Sequence, residues 1–284
     1  MHKAISFFLL VTCAFAACRQ NNNNYLNLIE NDWKKDKLKG RVKKIVKRDS
    51  VTGSSDLHSS IVEYNEKGFL AQKVDSSIMP HKTMVVTYEY RYDTINNTTF
   101  VSILLNGVQQ KQEQYEYDQA GNLVTVTRYF TKTKYTYDNK SRVLEELNYQ
   151  GNELLTKVKY EYLANGDQKE TLIEATTGII RTEKVKNDTM EISKTWDQGG
   201  ELRKIWLRKK DTAGHIIYAE EKDPDNKLVG YSRNYYNEFN DMVMSVNFEV
   251  KKNAFDTLAM KYTYDKFGNY TSVDGTWKRE ITYW

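Results

Sequence analysis

Four sets of residues in this 284-residue chain are of types that could carry chemistry. The first is cysteine, present only as Cys13 and Cys18. Cys13 lies within an apolar leader, so Cys18 is the single thiol of the chain that follows it. It can form no internal disulfide and suits covalent attachment instead. The second set is His58, His81 and His215, which are far apart and lack Cys or acidic neighbours at metal-ligand spacing. No metal site and no cofactor are expected. The third is the acidic set Asp118, Asp138, Asp197, Asp211 and Asp265. Two carboxylates brought together in space could cleave a glycosidic bond. Each of these stands just before a Gly- or Ser-containing turn, however, where Asp caps backbone N–H groups. Phosphate-cradling glycine loops, His-Glu-x-x-His and Gly-x-Ser-x-Gly are all absent, and the chain is read as a non-enzyme.

The fourth set is aromatic, with 21 Tyr, 10 Phe and 5 Trp. A Tyr or Trp ring has an apolar face and a polar tip, which suits stacking on a sugar ring. Tyr117, Tyr137, Tyr162, Trp196, Tyr236 and Tyr264 occupy one recurring position, so they are either a cross-strand ladder or a ligand platform. Trp206, Trp277 and Trp284 obey no such recurrence and are the candidate ligand platform.

Composition limits what can position these groups. The 42 Lys+Arg against 38 Asp+Glu, net +4, lack the basic excess of a dedicated nucleic-acid binder, so no nucleic-acid partner is expected. Two prolines, where average usage would give roughly 14, exclude a Pro-rich stalk. Mean hydropathy is -0.72, and no apolar run is long enough for a spanning helix. The basic runs Lys34-Lys35, Lys43 to Arg48 and Arg208 to Lys210 read as solvated faces, with those near the N-terminus able to meet anionic lipid.

The N-terminus reads as an export signal over residues 1–17. Met1-His2-Lys3 supplies a positive end, and Ile5 to Phe15 an apolar segment of signal-peptide length. Phe15-Ala16-Ala17-Cys18 resembles the lipobox of bacterial lipoproteins, with Phe15 where that family usually has Leu. The residues alone also allow a signal cut after Ala17 or an uncleaved anchor. The lipobox resemblance implies acylation of Cys18 and a membrane partner reached through the N-terminal lipid, each buried methylene contributing about 0.8 kcal/mol. Arg19, in place of Asp, implies outer-membrane sorting by the same resemblance. Residues 18–24 then form the lipidated Cys and a polar Asn-rich tether.

Residues 25–284 read as one β domain. Leu26, Ile29 and Trp33 predict a short amphipathic helix over 25–37, ended by Gly40. Beyond it the chain repeats itself. Tyr115-Glu116-Tyr117-Asp118-Gln119-Ala120-Gly121-Asn122-Leu123 returns as Tyr262-Thr263-Tyr264-Asp265-Lys266-Phe267-Gly268-Asn269-Tyr270. Degraded copies begin near Tyr64, Tyr135, Tyr160, Trp196, Lys210, Asp223 and Tyr235. The two tyrosines share a strand face, the Asp caps the turn, and Gly supplies the left-handed residue that closes a hairpin. The unit resembles the YD repeat of Rhs-like proteins and exported bacterial lipoproteins. That resemblance implies an all-β fold of antiparallel β-hairpin repeats forming an extended, curled sheet or open roll. The self-cleaving segment of the largest, toxin-wrapping members is not matched, since Asp223-Pro224 lacks its flanking pattern.

One more pattern recurs, Asp followed by Ser or Thr and then a small or aliphatic residue. It resembles an extracytoplasmic O-glycosylation motif of some Gram-negative bacteria. The acceptors would be Ser50, Thr94, Thr189, Thr212 and Thr257; the plainer alternative is a turn where Asp and Thr end a strand. Together these readings give a lipid-anchored outer-membrane protein acting as a non-catalytic binding or scaffold module for a glycan or another envelope protein. The alternatives are a purely structural envelope protein and, third, a glycan hydrolase on a β scaffold.

Overall fold

The computed structural model describes residues 24–49, 57–79, 82–274 and 277–284. Cys18 and Ser50 lie outside the described residues. The chain is a long antiparallel meander. Its strands run β1 (Val42–Asp49), β2 (Leu57–Tyr64), β3 (Leu70–Met79), β4 (Lys82–Asp93), β5 (Thr98–Leu105), β6 (Val108–Tyr117) and β7 (Leu123–Arg128). They continue through β8 (Thr131–Tyr137), β9 (Val143–Gln150), β10 (Glu153–Tyr162), β11 (Gln168–Glu174), β12 (Ile180–Lys186), β13 (Met190–Trp196) and β14 (Leu202–Lys210). The last are β15 (Ile216–Lys222), β16 (Leu228–Tyr236), β17 (Met242–Glu249), β18 (Ala254–Ala259), β19 (Tyr262–Tyr264), β20 (Tyr270–Val273) and β21 (Trp277–Tyr283). Each pairs with its successor except β18 with β19, and β21 returns to pair with β1. The result is one curled sheet whose ladder stays open where Met260 and Lys261 join β18 to β19.

The repeat unit explains the hairpins at one end of this sheet. The Asp118 carboxylate accepts from the N–H groups of Ala120 (2.9 Å) and Asn122 (2.8 Å), and Gly121 N–H closes onto the Asp118 carbonyl at 3.1 Å. Asp138, Asp211 and Asp265 repeat the double cap at this end and Asp197 repeats it at the other, and Asn65 and Asn237 do the same with an amide oxygen. The residue three positions on adopts φ near +60 to +90°, as Gly121 (+83°) and Gly214 (+86°) do readily and Ser141 (+58°) does less readily. At the opposite end, hairpins such as Asn106-Gly107 use the paired left-handed residues that match strand twist.

Several successive repeats are joined by the second tyrosine of a unit. The hydroxyl of Tyr92 donates to the carbonyl of Leu70 at 2.7 Å, Tyr137 to Leu123 at 2.7 Å and Tyr162 to Val143 at 3.0 Å. Tyr236 donates likewise to Ile216 at 3.2 Å. The acceptor is each time the first residue of the strand that leaves the preceding turn. The ring meanwhile lies on a side chain of that turn: Tyr162 under Arg142 (4.0 Å), Tyr236 on His215 (4.5 Å) and Tyr264 on Phe239 (4.1 Å).

Most of the buried apolar side chains among the described residues gather around the N-terminal segment. Tyr25, Leu26 and Phe69 form one cluster, and Val42, Ile45, Val62 and Tyr64 another, with Trp33 packed against the second. Here the expected helix over 25–37 is corrected. The segment is a 3-10 turn, Tyr25–Asn27, followed by the four-residue helix α1, Asp32–Lys35. Asn31 interrupts it by adopting an extended ψ of 162° and capping Lys34 N–H. The break lets Tyr25 OH reach Thr98 and Thr99, Asp32 accept from Leu70 N–H at 2.7 Å, and Trp33 Nε1 donate to Val42 O at 2.7 Å. Leu28 and Trp33 lie directly over the turn glycines Gly121 and Gly68. The sheet face that meets this segment is called the inner face below.

These two kinds of glycine separate by substitution. A Cβ at Gly121 would sit 2.6 Å from Leu28 Cβ, whereas one at Gly214 meets nothing within 4 Å. Both would pay about 1–2 kcal/mol for a left-handed alanine. Gly121→Ala should lose about 1–3 kcal/mol more by displacing Leu28. Urea denaturation should therefore rank Gly121→Ala well below Gly214→Ala, and equal losses would show that the N-terminal segment is not seated on the turn.

Candidate functional site

Strand alternation gathers tyrosines from distant parts of the chain. On β4, Tyr88, Tyr90 and Tyr92 point to the inner face, since side chains two apart share a side. The register sets Tyr92 beside Thr99 and Thr99 beside Tyr115, while Tyr90 stands beside Val101 and Val101 beside Glu113. With Tyr117 these side chains line a cavity of about 310 Å³, walled on one side by Ile29, Asp32 and Lys35 of the N-terminal segment.

The lining combines flat apolar faces with hydroxyls. Tyr25 stacks on Tyr117 at 4.8 Å, and the Lys73 ammonium lies 5.4 Å from the Tyr88 ring centre. Tyr115 OH donates to Glu113 at 2.6 Å, and Arg128 Nε donates to the same carboxylate at 3.3 Å. Asp32 is held by Leu70 N–H and Lys35. Both carboxylates of the cavity thus have partners, and what the site offers is stacking surface and phenol groups. Burial pushes the Tyr90 and Tyr117 hydroxyls up to about 12, and raises Tyr92 further still. They are neutral across the physiological range, fit to exchange hydrogen bonds with an uncharged polar ligand.

The residues singled out from sequence are dispersed. Trp206 is on β14 of the inner face, flanked by Lys204 at 5.6 Å and Arg208 at 5.8 Å. Trp284 follows β21, 46% exposed, with Lys43 over its ring at 4.6 Å. Trp277 begins β21, its side chain outside the described residues. The structure does not bring Trp206 and Trp284 together, because β14 and β21 are not neighbours in the sheet. Thr94, Thr189 and Thr212 are exposed in loops, and Thr257 is exposed on β18. No cluster of three His, Cys, Asp or Glu side chains suited to a metal is found among the described residues. Two of the turn aspartates are held below the usual carboxylate range by their partners: Asp138 by the N–H of Arg142, and Asp211 by His215.

Sequence reasoning passed over Tyr88, Tyr90 and Tyr115, although Tyr88-Glu89-Tyr90-Arg91-Tyr92-Asp93 sets three tyrosines at period two before a turn aspartate. That spacing was the available signal for an all-tyrosine strand face.

No family profile and no curated protein matches the chain. Solved structures with a similar strand arrangement include a porin-like protein from Bacteroides uniformis, at 11% identity and TM-score 0.40, covering 84% of this chain and 94% of that one. A porin-like protein from Bacteroides vulgatus matches at 10% identity and TM-score 0.32, covering 85% and 98%. The Photorhabdus luminescens Tc holotoxin pore matches at 12% identity and TM-score 0.19, over 76% of this chain and 15% of that one. The fold described above rests on this chain's own hydrogen-bond register.

The raised phenols make a pH prediction with a definite sign. Tyr90, Tyr117 and Tyr137 are held at about 12 against an ordinary value of 10.0. Their stabilisation is complete below pH 10 and is lost as pH rises through 12. Tyrosinate absorbance should therefore lag that of free tyrosine, then rise cooperatively with loss of β-sheet circular dichroism. Titration of all tyrosines near pH 10 with the sheet intact would refute this.

Proposed function

We propose that the chain is a non-catalytic binding module of the cell envelope, anchored by a lipid on Cys18 at the outer membrane, and that it takes a carbohydrate in the tyrosine-lined cavity. The observation that carries this reading is the grouping of Tyr88, Tyr90, Tyr92, Tyr115 and Tyr117 around about 310 Å³. A cavity of that size accommodates one sugar ring between phenol faces, and neutral hydroxyls supply directional bonds without the desolvation cost of charges. The Tyr88 and Tyr90 hydroxyls make no hydrogen bond to any described residue, which leaves them available. Kinship with YD-repeat lipoproteins is supported by the Tyr-x-Tyr-Asp turns, and the anchor by the lipobox-like residues before Cys18. A purely structural role is favoured by a separate observation, the use of Tyr92, Tyr137 and Tyr162 hydroxyls to tie repeats together.

Glycan-array screening of the mature chain, followed by calorimetry, separates the two. Binding should fall at least tenfold in Tyr90→Ala and stay unchanged in Trp206→Ala. Absence of binding to any glycan would favour the structural role, and loss in Trp206→Ala alone would move the site to β14. Fatty-acid labelling in cells should vanish in Cys18→Ala; retained labelling would remove the anchor from the proposal.

A further inference from the structure

The inner face carries a second concentration of unmet chemistry, on the strands that join the two ends of the chain. Lys47 of β1 and Arg279 of β21 are directly paired across the ladder, so their side chains rise side by side from the same face. Arg279 is only 9% exposed, its Nε has no hydrogen-bond partner, and its guanidinium lies 4.0 Å from the Tyr270 ring centre. Lys47 is half-buried, and that burial, then Arg279, lowers its affinity for its proton.

Neither cation forms an ion pair with a described residue, because the nearby carboxylates are already taken. Asp75 pairs with Lys73 at 2.7 Å, and Asp36 accepts from Tyr64 OH at 2.6 Å. Glu63 and Glu280 pair with Lys44 (2.8 Å) and Arg48 (2.7 Å), which alternate to the other face. Two like charges held together and partly withdrawn from water are unfavourable unless something negative completes them. Beside Lys47 is a cavity of about 260 Å³, also lined by His58, Ser60, Asp75 and Ser77. Ser77 Oγ lies 2.9 Å from His58 Nδ1.

We propose that Lys47 and Arg279 form a binding site for a dianionic oxyanion, the phosphate or sulfate group of a small molecule or ester. Two adjacent cations match a dianion better than a single carboxylate, since the nearby Asp36 and Asp75 are engaged by Tyr64 and Lys73. Arg279 supplies a planar fork and Lys47 a compact point charge, a pairing suited to tetrahedral oxygens. Ser60, across the ladder from Lys47, adds a hydroxyl at the rim. The site is independent of the tyrosine cavity.

The test is calorimetric titration of the full chain with inorganic phosphate, methyl phosphate and acetate at one ionic strength. Phosphate and methyl phosphate should each bind at least tenfold more tightly than acetate, and at least tenfold more weakly to Lys47→Met and Arg279→Met. Without ligand, Lys47→Met should melt at or above the wild-type temperature, since it removes a half-buried like charge; that also shows the variant is folded. The proposal is overturned if phosphate and acetate bind alike, if neither binds, or if folded Lys47→Met binds phosphate as the wild type does. Binding of inorganic phosphate with no binding of methyl phosphate would overturn its extension to esters.

Discussion

The structure depends on the contact between one repeat's second tyrosine and the turn before it. A sheet of this length encloses few buried apolar side chains, so it cannot be held by a single core. Backbone ladders keep neighbouring strands together, but ladders alone leave each hairpin free to twist against the next. The tyrosine ring lying on the preceding turn, with its hydroxyl on the first carbonyl beyond it, fixes that angle. The Asp-capped turn and the left-handed Gly or Ser prepare the platform on which the ring rests. Each hydrogen bond of this kind contributes on the order of 1 kcal/mol, and together they make the repeats a chain of nearest-neighbour couplings.

That economy frees the inner face for polar groups. Near the N-terminus the same face receives the segment from Tyr25 to Asp36, which supplies a local core and closes one wall of the tyrosine cavity. On β1 and β21 of the same face stand Lys47 and Arg279. Farther along, Glu170, Lys184, Glu191 and Arg208 pair across the face, as in Arg208 to Glu191 at 2.5 Å and Lys184 to Glu170 at 3.2 Å.

What was legible in the sequence was local. Asp118 and Gly121 announce their turn because cap and left-handed residue lie within one hairpin. The curled all-β architecture follows from repeating that hairpin. The N-terminal helix is shorter than the helical spacing of Leu26, Ile29 and Trp33 implies because Asn31 breaks the segment by capping a new start. The tyrosine cavity needs β4 set against β5 and β6 in register, which no single strand encodes. The basic run from Lys43 to Arg48 reads as one solvated face, yet strand alternation sends Lys44 and Arg48 to one side and Lys47, half-buried, to the other. Composition cannot separate residues that period two divides.

The coupling of repeats through tyrosine is tested most directly by hydrogen exchange in Tyr162→Phe, which removes only the hydroxyl that donates to Val143 O. Exchange should quicken only in β9, β10 and their connecting turns, with β14 to β17 unchanged. Unaltered exchange throughout, or a uniform rise along the whole sheet, would contradict it.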